Sequence, residues 1–537
     1  MIGLLWLCAA ANLPIIQDEA YYFSWARHLD FGYFDHPPFV ALISWPATIA
    51  RQSFVVARLG TLLTSLLALL ASWRLFRVVG LRSRLAQSTA LLLAFGNLMG
   101  LVYGFITTPD TGLLLAWVLA LTEAALALQG DERHWLGAGF MTGLGLWSKY
   151  MMLLIGPIFL WALVAQQIKS PERGKGLRGP WPYLGGLVAL LVIAPHLYWN
   201  ATHGWITLRF QTQHGFADVH IASDTASTLP TAQDALKDSP EWRLGQFWGG
   251  IKEDEHQAES HPVPYEETLK ALNRYLGYYG SQVAAWGGLL GAIVLGLRRR
   301  STNVELIHDI QRLTPEAKPL LVAATAVPLL VFGLLALVTK VEANWSAMYV
   351  VGAAPLLTSR LINRQRSLWI GLSANLVIVL LLLIHARSGI LPVPANRDRL
   401  LNETHGYADL ARAIDKLQGP VFADSYQITA MSNFYLDSQR LRQWPGITRD
   451  SEFVRRPEVM AMGTSELKGS NGFWLITTDM PRSITGFMAN EMLQLRDCKD
   501  SSLQVISSTE PRESAKRCAK PVHEWYLVRY DALLGRG

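Results

Sequence analysis

Residues 1–22, MIGLLWLCAAANLPIIQDEAYY, run from an apolar helix straight into adjacent carboxylates and tyrosines, and residues 33–38, YFDHPP, follow within one short loop. Carboxylates at the edge of hydrocarbon are costly to hold, so Asp18, Glu19 and Asp35 mark a working site rather than a chance composition. The apolar run has no small-residue cleavage pattern before the acidic motif, so it reads as a first membrane span and not as a cleavable signal peptide.

Outward from this motif the chain stays apolar. Half of its 537 residues are hydrophobic, 19 are Trp, and the mean hydropathy is +0.20. The apolar residues fall in blocks, as in a polytopic α-helical membrane protein. Blocks near 2–16, 55–79, 85–105, 110–129, 135–148, 151–168, 181–199, 277–297, 319–339, 346–359 and 368–386 predict about eleven transmembrane helices. The blocks at 135–148 and 346–359 are short for a straight span and are expected to be broken or partly submerged. Residues 388–537 carry charges, turns and short amphipathic segments, so the chain divides into a membrane core, 1–387, and an external soluble α/β domain, 388–537.

The net charge of +6 comes from 48 basic and 42 acidic residues. Its bases cluster at alternate loops, at Arg77, Arg82 and Arg84, at Arg133, at Lys169, Arg173, Lys175 and Arg178, at Arg298, Arg299 and Arg300, and at Arg360, Arg364 and Arg366. That alternation is what cytoplasmic loops show, and it removes any need for a nucleic-acid partner. It places the loops 17–54 and 200–276 and the C-terminal domain outside, on the periplasmic face of a bacterial inner membrane. Cys498 and Cys518 are the pair in that domain. A disulfide between them would close a loop of about 20 residues, worth roughly 3 kcal/mol; two unpaired thiols are the alternative.

With this topology the unusual polar residues gather on one face. The 17–54 loop holds Asp18, Glu19, Asp35 and His36. Thr107-Thr108-Pro109-Asp110, Ser148-Lys149-Tyr150, His196 with Asn200 and His203, and Lys340 to Trp345 with Glu342 and Asn344 supply the next external junctions. An active site roofed by external loops accounts for this gathering. Each member also has an ordinary role: Asp110 as a helix cap, Lys149 reaching headgroup phosphates, Trp345 as an interfacial anchor. Loop 200–276 is acidic from Arg209 onward, with eleven Asp or Glu against six Lys or Arg. Its His203, His214, His220, His256 and His261 with Glu253, Asp254 and Glu255 match no standard zinc spacing. A divalent metal is conceivable there but not indicated, no other cofactor is expected, and the segment from Pro264 to Leu276 reads as an amphipathic helix along the membrane surface. No phosphate-binding glycine loop, dinucleotide fingerprint or hydrolase elbow is present, so the fuel must arrive in the membrane or from outside.

The ordered set Asp18-Glu19 with Tyr21-Tyr22, Asp35-His36-Pro37-Pro38, Thr108-Pro109-Asp110, Ser148-Lys149-Tyr150 and Glu342 with Asn344-Trp345 resembles bacterial members of glycosyltransferase family 39. That family includes protein O-mannosyltransferases and the lipid A aminoarabinose transferase. The likeness covers roughly 15–360 and continues more loosely into Asp424-Ser425-Tyr426-Gln427 and Asn433-Phe434-Tyr435. It implies a GT-C fold, a polyprenyl-phosphate-linked sugar donor, and a lipid, polysaccharide or protein acceptor. Asp18 matches the catalytic carboxylate, with Glu19 beside it, and Asp110 matches a second acidic position. His36 and Asp35 depart from the family, standing where the aminoarabinose transferase has a lysine and a glutamate, so phosphate recognition shifts toward Lys149 or an arginine such as Arg58. Tyr21, Tyr22 and Trp345 could stack on a sugar or line a lipid groove. The chemistry expected is inverting transfer to an acceptor hydroxyl, with Asp18 as base. A lipid-linked sugar flippase or transporter is the alternative, and would require polar groups strung through the bilayer or an inverted repeat.

Overall fold

The computed structural model describes residues 1–50, 53–169, 175–215, 264–298, 313–444, 447–455, 472–479, 484, 487–499, 501–507 and 521–532. The expected histidine and acidic group at His220, Glu253, Asp254, Glu255, His256 and His261, the side chain of His214, and Arg173, Arg299, Arg300 and Cys518 lie outside these residues. Cys498 is disulfide-bonded, and Cys8 is an exposed free thiol.

Each of the eleven apolar blocks is helical, but several of the described helices are shorter than a full membrane span. Among the described residues six helices are long and apolar enough to cross a membrane, or seven if one bent pair counts as a span. The first helix, Ile2–Asn12, has only 11 residues because Leu13 and Pro14 turn the chain out of it. Tyr349–Leu361 and Gln365–Ser388 follow one another with only a short 3₁₀ turn between them. At the centre lies Pro109–Leu128, 72% buried where the other spans are 28–39%. Proline at its first position and Asp110 in its first turn suit a helix start, where N–H groups are free and the dipole is positive.

The two blocks expected to be broken or partly submerged are short, as read, but unbroken, and breaks fall at two others. His134–Ser148 and Tyr349–Leu361 are continuous, whereas the block 85–105 divides at Gly96-Asn97 and the block 277–297 bends by 97° between Glu267–Ala285 and Leu289–Arg298. One side chain satisfies the backbone freed at both places. Asn375, fully buried, donates to the carbonyls of Gly96 (2.9 Å) and Trp286 (3.1 Å) and accepts from Gly288 N–H at 2.7 Å. Irregular backbone is tolerated at membrane depth only when it is satisfied in this way. Gly287 sits there with φ +54°, and a Cβ on it would meet Asn375 Oδ1 at 2.2 Å, so length and hydropathy could not reveal the break.

About half of the loop 17–54 lies in short helices: Gln17–Trp25, Phe39–Ile43, a 3₁₀ turn at Trp45–Thr48, and the start of Phe54–Ala57. Ile15, Tyr21, Tyr22, Phe23, Trp25 and Tyr33 share one hydrophobic core with Tyr407, Leu410, Tyr426, Met431, Phe434 and Trp525. The C-terminal segment is a six-stranded sheet: β1 (Val421–Ala423), β2 (Leu441–Gln443), β3 (Gly472–Thr477), β4 (Phe487–Cys498), β5 (Ser501–Ser507) and β6 (His523–Ala532), in the order β2-β1-β3-β6-β4-β5. β1 runs parallel to β2 and β3, and the remaining pairs are antiparallel. Helix Tyr426–Leu436 crosses over from β1 to β2, and its face carrying Tyr426 and Phe434 rests on Tyr21 and Phe23. The sheet thus hangs its crossover helix over the acidic motif.

Candidate active site

Asp18 and Glu19 are neighbours on helix Gln17–Trp25, so their side chains point about 100° apart and meet different surroundings. Glu19 is fully buried. Its Oε1 accepts from Arg58 Nε (2.8 Å) and Thr107 N–H (2.8 Å), and its Oε2 accepts from Arg58 Nη2 (2.5 Å) and Ile16 N–H (3.3 Å). Arg58, also fully buried, spends its remaining donors on the carbonyls of Ala10, Leu13 and Pro14. Neither residue lines the cavity described below. Two expectations are corrected here: Arg58 does not face a donor phosphate, and Glu19 is no electrostatic neighbour in the site. The bidentate pair consumes both charges and ties the first helix, the acidic motif and the start of helix Leu59–Val78 together.

Asp18 turns the other way, into a cavity of about 1070 Å³ between the helical bundle and the C-terminal segment. Its carboxylate is set deep in the protein yet exposed to the cavity. Tyr426 donates to Asp18 Oδ1 at 3.3 Å, and among the described residues no cation pairs with it. Removal from bulk water, followed by the charges of Glu403 and Asp35, raises its pKa to about 6 against the opposing pull of Arg449. A carboxylate near that value is still mostly ionised at neutral pH and is a better base than an ordinary aspartate.

Opposite sits a second cluster. Lys149 Nζ donates to Asp110 Oδ1 (2.9 Å) and Oδ2 (3.0 Å), and Asn344 Nδ2 donates to Asp110 Oδ2 at 2.9 Å. The backbone explains the placement: Ser148 Oγ donates to the Pro109 carbonyl at 2.7 Å, and Lys149 leaves the helix in extended conformation, which turns its side chain toward the start of Pro109–Leu128. Two ammonium protons are engaged, leaving one for a ligand oxygen. Glu342 and Trp345 line the same wall, and Lys340 pairs with Glu342 at 2.9 Å. Tyr150 also faces the cavity. His196 Nδ1 donates to the Phe31 carbonyl (2.7 Å), so its Nε2 accepts from the Tyr150 hydroxyl at 2.6 Å. His203 lies off the site, stacked on Trp199 at 4.2 Å.

Tyr21, Tyr22, Asp35 and His36 complete the roof. Gln211 Nε2 lies 3.1 Å from His36 Nδ1, which therefore accepts and leaves the neutral ring's proton on Nε2. Asp35 pairs at 2.8 Å with Arg449, a residue the motifs did not disclose. The Arg449 guanidinium lies over the rings of Tyr426 (4.2 Å) and Phe210 (5.1 Å). Burial opposes its charge, but Asp35 and Tyr426 outweigh this and hold it protonated. Arg399 and Glu403, from helix Arg399–Thr404, reach the cavity as well. Below the polar ring the walls turn apolar, with Met99, Ile106, Leu154 and Leu335. Leu153, Val331 and Leu382 on this wall are 65%, 41% and 39% exposed, so the cavity opens sideways between helices. Among the described residues no three His, Cys, Asp or Glu side chains converge to hold an ion.

These features define a multi-pass membrane protein with a capped polar cavity open to the hydrocarbon. Residues 35–199, under a third of the chain, match the family model for dolichyl-phosphate-mannose-protein mannosyltransferase; the stretch agrees with the resemblance at Asp35-His36, Asp110 and Lys149 and does not include Asp18-Glu19 or Glu342 to Trp345. A lipid A galacturonosyltransferase, RgtD, from Rhizobium johnstonii is 27% identical over 219 residues, which are 38% of this chain and 43% of that protein. The matched stretch thus spans less than half the length of this curated relative. The structure of ArnT from Cupriavidus metallidurans bound to undecaprenyl phosphate is 13% identical with a TM-score of 0.42, covering 98% of this chain and 96% of that one. An oligosaccharyltransferase structure from Archaeoglobus fulgidus is 12% identical with a TM-score of 0.40, covering 95% and 74%.

Proposed function

We propose that this protein is a GT-C membrane glycosyltransferase that moves a sugar from a polyprenyl-phosphate donor to an acceptor hydroxyl, with inversion, at the external face of the bacterial inner membrane. The observation that carries this reading is Asp18: a carboxylate of raised pKa without an ion-pair partner among the described residues, facing a cavity whose apolar wall opens sideways. The family match and the name of the Rhizobium relative support sugar transfer and, more narrowly, a lipid acceptor.

The roles follow from position. The prenyl chain lies along the apolar wall at Leu153, Val331 and Leu382, and its phosphate meets the third Lys149 proton and the Asn344 edge. Asp110 keeps Lys149 charged and aimed. Asp18 takes the acceptor hydroxyl proton as that oxygen bonds to the anomeric carbon; the anomeric C–O bond to phosphate breaks, and the lipid phosphate leaves with the electron pair. Tyr21, Tyr22, His36 and Trp345 surround the sugar. The C-terminal segment closes the acceptor side through Tyr426 and Arg449. A transporter reading needs polar groups along a path across the bilayer, whereas the charged lining gathers at one end of the spans: Asp110 begins one helix, and Lys149 and Glu342 follow the ends of two others.

The test compares lipids and surface glycans by mass spectrometry in cells carrying the wild-type or an Asp18→Asn copy as the sole source of this protein. A product one sugar heavier is expected with the wild type alone, while the purified variant melts at the wild-type temperature or above. Persistence of that product with Asp18→Asn overturns the assignment.

A further inference from the structure

Helix Leu59–Val78 carries a second built site at the end away from the cavity. Its Leu59 end adjoins Arg58 and the Glu19 junction; its 20 residues put Val78 about 30 Å away. There Arg74, Arg77, Val78, Leu81, Arg82 and Gln87 line a recess of about 420 Å³.

The recess is organised around Gln87, which is only 6% exposed. Its amide donates to the carbonyls of Leu81 (2.8 Å) and Arg82 (3.3 Å) and accepts from the Trp73 indole at 2.7 Å. The Arg77 guanidinium lies over the Trp73 ring at 5.1 Å. The turn is pinned from the other side, where Gln129 donates to the Val78 carbonyl (2.9 Å) and Thr314 N–H to that of Val79 (3.0 Å). The arginines are thus held around a fixed hollow. Only Arg74 has a carboxylate partner among the described residues, Glu123 at 3.3 Å, so among those residues two positive charges have no acidic partner.

What lies beside the charges selects the ligand. Leu66, Leu70 and Trp73 are 44%, 49% and 41% exposed, and at spacings of four and three residues they form one stripe ending at Arg77. Leu85, 50% exposed, flanks it. An apolar stripe leading into a cationic hollow fits a molecule with an anionic head and a hydrocarbon tail.

We propose that this recess binds the head group of an anionic phospholipid in the leaflet opposite the cavity, with its acyl chain along Leu66, Leu70 and Trp73. The phosphate is gripped by Arg77 and Arg82, and Arg74 is shared with Glu123. The site is separate from sugar transfer and does not depend on that reading.

The full-length protein in mild detergent, titrated with dioleoyl phosphatidylglycerol and with dioleoyl phosphatidylcholine and followed by native mass spectrometry, tests it. Phosphatidylglycerol should bind preferentially, with affinity falling roughly fivefold for each of Arg77→Gln and Arg82→Gln. Arg360→Gln, at another exposed helix end, should bind as the wild type does, and Arg77→Lys should keep most of the preference. Equal binding of the two lipids, or unchanged binding in the double variant with an unchanged melting temperature, overturns the proposal. Full displacement of the lipid by glycerol 1-phosphate at equal concentration also overturns it, because the tail would then contribute nothing.

Discussion

Around Glu19 every donor and acceptor is used, while one residue earlier the wall around Asp18 is left unbalanced. At the Glu19 junction an acid and a guanidinium are fully buried and satisfied by five further backbone groups. At Asp18 the acid has a long hydrogen bond from Tyr426 and acidic neighbours. The first arrangement holds the fold and can do no chemistry, because no lone pair is available. The second costs stability and keeps a reactive oxygen at the cavity. Two adjacent carboxylates therefore divide structure and, on the proposed reading, catalysis between them.

The largest effect that would break this contrast belongs to the junction. Glu19→Ala or Arg58→Ala strands a buried charge and should cost about 3–5 kcal/mol, enough to abolish a monodisperse folded fraction in detergent. A paired replacement of both by Met should recover only part of that, since the carbonyls of Ala10, Leu13 and Pro14 lose their donor; full recovery would show that Arg58 does not organise them.

Asp18→Asn should behave oppositely, lowering transfer about 10²–10⁴-fold with the melting temperature unchanged or slightly raised. The sign follows from the pKa of about 6, above the ordinary 3.8. The fold disfavours the ionised form, so this group's contribution to stability is fully present below 3.8 and is lost as pH rises through about 6. Because the carboxylate faces cavity water, the gain in Asp18→Asn should stay within about 1 kcal/mol. Turnover runs the other way: it should level off above about pH 6 and fall roughly tenfold per pH unit below it. A rate independent of pH down to 4.5 would remove Asp18 as the base.

Arg449→Gln is expected to lower transfer by about tenfold and to shift the acidic limb of the pH profile upward, because Arg449 is the nearby charge that lowers the Asp18 pKa. A rate loss with an unmoved limb would make it a structural contact of Asp35 only. The smallest change is Tyr426→Phe, which removes one hydrogen bond to Asp18 and should cost about 0.5–1.5 kcal/mol in transition-state energy, read as a fall in kcat/KM.

Much of this was legible along the chain. Apolar blocks marked every helix of the bundle, and the acidic motif with Asp110, Lys149, Asn344 and Trp345 marked the cavity wall, because each lies at the end of such a block. The breaks at Gly96-Asn97 and Gly287 escaped, since Asn375 compensates them from more than 85 residues away. Arg449, Arg399 and Glu403 escaped for a related reason: each looks like an ordinary surface charge until the crossover helix and its neighbours are folded over the motif.

What the sequence alone determined is which segments are apolar and where charge meets hydrocarbon, because burial of apolar surface and desolvation of charge depend on composition over one or two helical turns. Only the tertiary structure decided that Glu19 is an anchor and Asp18 the exposed acid. A rotation of about 100° per residue sends adjacent side chains to different partners, and those partners, Arg58 and Tyr426, come from opposite ends of the chain.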